Sequence, residues 1–191
     1  MSVKQLLREQ LNQKIPYYHG SKSPIPFEKF EPNSIGTGIV SSGQKYGGFF
    51  FTSEFENAEY YTEWYVVEVN IKNIEPSPIA QKNPPLNMKQ AVQDKKIYLI
   101  SDYLDGAVHS DIVIVPASLI DNVTITNWTF VGDEESYFEY LDKYFTMGND
   151  EEEDENFLTQ DYISSIMSMT GGGLDYALQV PMFRKYFDSK Q

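Results

Sequence analysis

The sequence predicts an α+β fold: a β-sheet core of mixed or antiparallel strands with few helices, followed by a helical extension. Three observations carry this expectation. Over residues 17–130, short β-type runs are broken by Gly, Pro, Asn and Ser clusters. From Asp133 onward the apolar residues recur at helical spacing instead. A chain of 191 residues can also bury one good core and has little left for a second. Charge marks the same divide, because −10 of the net −13 falls within 133–155, where eleven acidic residues accompany the single Lys143. The expected organisation is a domain over 1–132, including an N-terminal helix within 1–14, and an acidic helical extension over 133–191.

The elements follow in chain order. Val3, Leu6, Leu7 and Leu11 recur on one helical face after a cap at Ser2, and Pro16 ends that helix. Four β runs come next, at Gly48–Thr52, 64–71, 112–115 and Val123–Phe130. In the second, Tyr65, Val67, Val69 and Ile71 share a face. The apolar run Ile112-Val113-Ile114-Val115 predicts a strand covered on both sides, whereas Val123–Phe130 alternates and predicts one wetter side. Beyond Asp133, Tyr137, Phe138, Leu141, Tyr144 and Phe145 form one helical stripe. Phe157, Leu158, Tyr162, Ile166 and Met167 predict a second helix, broken by Gly171, Gly172 and Gly173. Pro181 opens a last one, with Phe183, Tyr186 and Phe187 as its apolar contacts.

Composition removes several classes of function. There is no cysteine, hence no disulfide framework and no thiolate metal site. Only two arginines occur, Arg8 and Arg184, too few for a protein that grips nucleic-acid phosphates directly. Residues 1–14 carry charges throughout and lack the apolar stretch of a signal peptide, and no segment has the apolar length of a membrane span. The expected compartment is the cytoplasm. The acidic run lacks the spacing and the glycine of an EF-hand, so no metal is expected.

Candidate chemistry begins at Tyr17-Tyr18-His19-Gly20-Ser21. Taken alone, this segment also suits a histidine that merely satisfies a core hydrogen bond. Downstream come Ile35-Gly36-Thr37-Gly38, then Tyr46-Gly47-Gly48-Phe49-Phe50-Phe51-Thr52-Ser53, then Glu56-Asn57-Ala58-Glu59-Tyr60-Tyr61, which starts like a helix with an acidic first turn.

That succession, over about residues 18–64, resembles the NAD-binding half of ADP-ribosyltransferases of the diphtheria-toxin and poly(ADP-ribose)-polymerase type. It is most similar to the compact transferases of bacterial and phage polyvalent proteins. The resemblance implies a split, mixed or antiparallel sheet and NAD as a substrate. It implies that His19 bonds a ribose of NAD, that the Gly20 backbone holds the nicotinamide carboxamide with Ser21 in support, and that Phe50 and Tyr61 are the aromatic positions beside nicotinamide. Phe50 stands where the family has Tyr. The residue types suit the task, since an aromatic face attracts a cationic ring within about 6 Å by roughly 0.5–2 kcal/mol. Gly47 and Gly48 would let the backbone approach the ligand. At least one of Phe49, Phe50 and Phe51 must instead be core, because successive strand residues face opposite sides. Tyr60 or Tyr61 also suits plain helix packing.

Such a transferase needs a carboxylate to stabilise the oxocarbenium-like ribose left as nicotinamide departs. The stretch Asp105-Gly106-Ala107-Val108-His109-Ser110-Asp111-Ile112 resembles the family's last hairpin and places an acid, Asp111, at the opening of an apolar strand. Asp105 and Asp102 are the alternative acids. Asp111 stands where the family has Glu, and His109 occupies the position two residues before the acid, where arginine-modifying members carry Gln or Glu. The expected function is therefore mono-ADP-ribosylation of a macromolecular, protein acceptor. The compact relatives suggest a phage or bacterial effector acting on a host system. The alternatives are NAD hydrolysis at the same site and a catalytically silent acidic binding protein. The acidic extension serves either as a solvated, solubilising face or as a dock for a basic partner, such as a nucleic-acid-binding protein that would be the modified target.

Overall fold

The computed structural model describes residues 15–32, 47–76, 84–104, 107–146 and 173–190. The helix expected within 1–14, the stretch 35–38, the pair 105–106, the acidic run 150–155, the helix expected over 157–167 and the glycines 171–172 lie outside them.

Seven strands form one mixed sheet. They are β1 (Tyr17–Ser21), β2 (Gly48–Thr52), β3 (Tyr65–Ile71), β4 (Ile74–Pro76), β5 (Ile97–Leu104), β6 (Ala107–Pro116) and β7 (Val123–Phe130). Their spatial order is β4-β5-β6-β2-β1-β3-β7. Only β4 and β5 run parallel; the other neighbours are antiparallel. Around the sheet lie α1 (Phe55–Glu59), α2 (Pro84–Asp94), a 3-10 segment (Ala117–Asn122), α3 (Glu134–Thr146), α4 (Leu174–Ala177) and α5 (Pro181–Asp188). The α+β class expected from the sequence is thus the class observed.

Strand alternation explains the two apolar layers. On β6, Val113 and Val115 join Phe49, Phe51, Val67 and Val69 in the larger cluster. Ile114 between them points to the other face, into a smaller cluster with Tyr98, Ile100 and the α2 residues Met88 and Ala91. The strand at 112–115 is therefore covered on both sides, as its uninterrupted apolar run predicts. At the sheet edge, β7 buries Val123 and Trp128 and exposes Thr124, Thr126 and Asn127, the wetter side expected there.

Gly47 enters β2 with φ of 75°, a left-handed conformation that glycine adopts without strain, and its carbonyl accepts from the Ala117 amide at 2.8 Å. The turn keeps β2 in register with β6.

The C-terminal helices belong to the same core as the strands. Tyr137, Leu141 and Phe145 of α3 and Phe183, Tyr186 and Phe187 of α5 are buried within the larger cluster. Pro181 sits in the first turn of α5, where its missing amide costs nothing. Two ion pairs tie the C-terminal segment to α3, Lys185 of α5 to Glu134 at 2.6 Å and Lys190, just past α5, to Asp142 at 2.7 Å. The Tyr186 hydroxyl also donates to Asp142 at 2.9 Å. Part of the acidic charge is consequently neutralised within the fold. Deeper in, the Tyr65 hydroxyl donates to that of Tyr137 at 2.9 Å, which donates to the Pro24 carbonyl at 2.7 Å. Among the described residues no helix is long and apolar enough to cross a membrane.

One seam interrupts the sheet. β1 shares five registered pairs with β3, and β2 shares five with β6, but β1 and β2 meet at the single pair Tyr18↔Thr52. On one face α1 straps the seam, touching β1, β2 and β3.

Candidate functional site

At the seam a side chain takes over from the backbone ladder. His19 Nδ1 lies 2.9 Å from the Phe50 carbonyl, so the ring N–H donates across from β1 to β2. Burial pushes the His19 pKa below its ordinary value, and the bond to the Phe50 carbonyl opposes that shift only in part. The ring is then neutral near pH 7, its proton is on Nδ1, and Nε2 is left as an acceptor. Phe30 meets the ring edge-on at 5.3 Å and Phe51 at a tilt of 48° and 5.4 Å. The ring orientation is therefore set by apolar walls as well as by the carbonyl.

Gly20, the next residue, faces the opposite side, where α1 lies. A Cβ there would sit 2.3 Å from the Ala58 carbonyl oxygen and about 3 Å from the backbone carbon and Cβ of Tyr61. Only a glycine admits this approach. Tyr61 lies just beyond the end of α1, its amide bonded to the Ala58 carbonyl at 3.1 Å. The residue stays 56 % exposed, and its ring meets that of Tyr60 edge-on at 5.3 Å. Ser21 is buried, and its hydroxyl accepts the Ser23 amide at 3.1 Å, which holds the chain leaving β1.

Asp111 lies across β2 from β1. Its amide donates to the Ser53 hydroxyl at 3.0 Å and its carbonyl accepts the Ser53 amide at 2.9 Å. By strand alternation it shares a face with Val113 and Val115, and in β1 with Tyr17 and His19. The Tyr17 hydroxyl has its pKa pushed up to about 12, first by burial and then by the Asp111 charge, so the carboxylate acts on the histidine side of the sheet. The strand differs from the sequence expectation in one respect. β6 begins at Ala107 and its pairing with β5 closes at Leu104↔Ala107, so Asp111 sits in mid-strand opposite Ser101 rather than at the strand opening. His109 lies in the same strand and Asp102 in β5, while Asp105 falls outside the described residues.

Phe50 and Gly48 occupy the α2 side. Phe50 packs against the smaller cluster of Met88, Tyr98 and Ile114, while its carbonyl serves His19. The space a Gly48 Cβ would need is taken by Met88 Sδ at 2.4 Å and the Val115 carbonyl at 2.7 Å. Gly48 thereby lets α2 lie close on the sheet. The structure thus joins His19 to the Phe50 carbonyl on one face of β1 and Gly20 to Tyr61 on the other, sets Asp111 across β2 on the histidine face, and leaves Gly48 under a helix.

Two contributors escaped the sequence reading. Ser53 clamps the Asp111 backbone at two points, and Phe30 walls in His19. Neither follows from periodicity, because both act through pairings distant in the chain.

No protein-family model matches the chain, and no curated protein or solved structure matches it either.

Proposed function

We propose that this chain is a mono-ADP-ribosyltransferase, taking NAD as substrate, passing ADP-ribose to a protein acceptor and releasing nicotinamide. The observation that carries the proposal is the junction at the seam, where His19 is held by the Phe50 carbonyl on one face of β1 and the adjoining Gly20 lies against Tyr61 on the other. A locked imidazole with Nε2 as acceptor suits a ribose hydroxyl, which can donate to it. The Gly20 backbone with the exposed Tyr61 ring suits a flat amide-bearing cation. Asp111, on the histidine side of the sheet, suits the positive charge that develops at the ribose.

In the reaction the bond between ribose C1′ and the nicotinamide nitrogen breaks, and its electron pair neutralises the pyridinium. The carboxylate of Asp111 stabilises the oxocarbenium-like carbon by charge. The acceptor's nucleophilic atom bonds to C1′ and loses its proton. With water as acceptor the same steps give NAD hydrolysis.

The test is nicotinamide release and transfer of labelled ADP-ribose to lysate proteins, in wild type and in Asp111→Ala. Turnover should fall on the order of 100-fold in the variant while NAD binding persists. Undiminished turnover would remove Asp111 from the chemistry. A second reading has its own observation: Phe50 lacks the phenol of the family's tyrosine and its ring lies with the α2 cluster. If wild type binds NAD without any release of nicotinamide, a silent binding protein replaces the enzyme.

The acceptor is proposed to be a basic protein, such as a nucleic-acid binder, docking on the exposed acids of α3. Glu135 and Glu139 are exposed, whereas the half-buried Glu134 and Asp142 meet Lys185 and Lys190. Glu135→Gln with Glu139→Gln should reduce labelling of the acceptor and leave NAD hydrolysis unchanged.

A further inference from the structure

Thr62 follows Tyr61 and uses every bonding capacity of its hydroxyl. It donates to the Ser21 carbonyl and accepts the amides of Trp64 at 3.2 Å and Tyr65 at 3.1 Å. A hydroxyl has one proton and two lone pairs, and both amides can only donate, so its single proton is committed to Ser21. Three backbone groups, at the end of β1 and the entry to β3, are thereby joined at one atom. The neighbouring tyrosine is held through its backbone, its amide bonded to the Ala58 carbonyl at 3.1 Å. The Tyr61 ring meets only Tyr60 among the described ring contacts, and Tyr60 is 85 % exposed. The backbone is what lays Tyr61 on Gly20, and Thr62 anchors that backbone to the strand carrying Gly20.

We propose that Thr62 is a positioning residue for the nicotinamide end of NAD, holding Tyr61 over Gly20 through its three-way hydroxyl. This rests on the NAD-binding role proposed above. Thr62 touches no substrate; it acts through Tyr61. It therefore governs the affinity for ligands that carry nicotinamide and leaves those without it alone, a distinction that a general loss of stability does not produce.

The experiment compares NAD with ADP-ribose, which lacks nicotinamide, on wild type, Thr62→Val and Thr62→Ser. Thr62→Val keeps the shape and loses the hydroxyl. Its dissociation constant for NAD should rise roughly tenfold, that for ADP-ribose should change less than about twofold, and Thr62→Ser should restore NAD binding. Amide exchange on the wild type provides a second measurement that needs no variant to fold: NAD should slow exchange at Trp64 and Tyr65, and ADP-ribose should not. Equal losses for both ligands, unchanged NAD binding in Thr62→Val, or equal protection of the two amides by both ligands would each overturn the positioning role. Failure of the wild type to bind either ligand would instead bring down the NAD reading, and this role with it.

Discussion

At the scale of single residues, the candidate site rests on close approaches that leave no room for substitution. Gly20→Ala would drive a methyl against the Ala58 carbonyl, which belongs to the backbone of α1 and cannot rotate away. The helix must lift, at a cost of about 1–3 kcal/mol in urea unfolding, and under the function proposed above NAD affinity should fall with it. His19 yields a pH signature. Its folded pKa lies below the ordinary value of 6.5, so as pH falls the unfolded chain takes up the proton first. The neutral, half-buried ring contributes its full stability above about pH 6.5, and that contribution is lost as pH falls through the lowered folded value. Unfolding free energy measured from about pH 7.5 to about pH 5 should therefore decline more steeply in wild type than in His19→Gln. The sequence displayed the residue types here, His19-Gly20 and Tyr61, through their order in the chain. It did not display that the Phe50 contribution to His19 is a carbonyl, because a backbone acceptor has no letter of its own.

At the scale of elements, legibility followed periodicity. β2, β3, β6 and β7 were visible because their apolar residues either alternate or run unbroken, and α5 was visible through Pro181 and its aromatic contacts. α2 was not. It opens with Pro84-Pro85 and buries only Met88 and Ala91 among its described side chains, too sparse a stripe to stand out from loop. The start of β6 was misplaced because Ala107, Val108 and His109 carry no marked alternation, and the strand there is specified by its pairing with β5 rather than by its own pattern. Between elements, the hydroxyl chain from Tyr65 through Tyr137 to Pro24 fastens α3 to the sheet. Tyr137→Phe would leave the Tyr65 hydroxyl without its acceptor and the Pro24 carbonyl without its donor, both buried. A loss of roughly 1–3 kcal/mol in chemical denaturation is expected, larger than for an exposed Tyr→Phe change.

For the whole molecule, charge and core divide the chain differently. The charge break at Asp133 marks an acidic extension, yet Tyr137, Leu141, Phe183 and Tyr186 from that extension are wholly buried in the cluster that also holds Phe51 and Val67. A chain ending at Gly132 would expose the sheet face those residues cover and should lose its cooperative thermal transition, followed by circular dichroism. The acidic face is therefore better probed by point substitution than by deletion. The strand order has a kinetic consequence. Among the described strands only β5 and β6 pair with a short separation in the chain, while β1 waits for β3, β2 for β6 and β3 for β7, each across a long stretch of chain. Loop closure must precede almost every pairing, so refolding belongs on the millisecond-to-second scale rather than the microsecond one. The β5/β6 hairpin should be the early structure, and the joint between β1 and β2, with its histidine latch, should close last because it depends on both halves being in place.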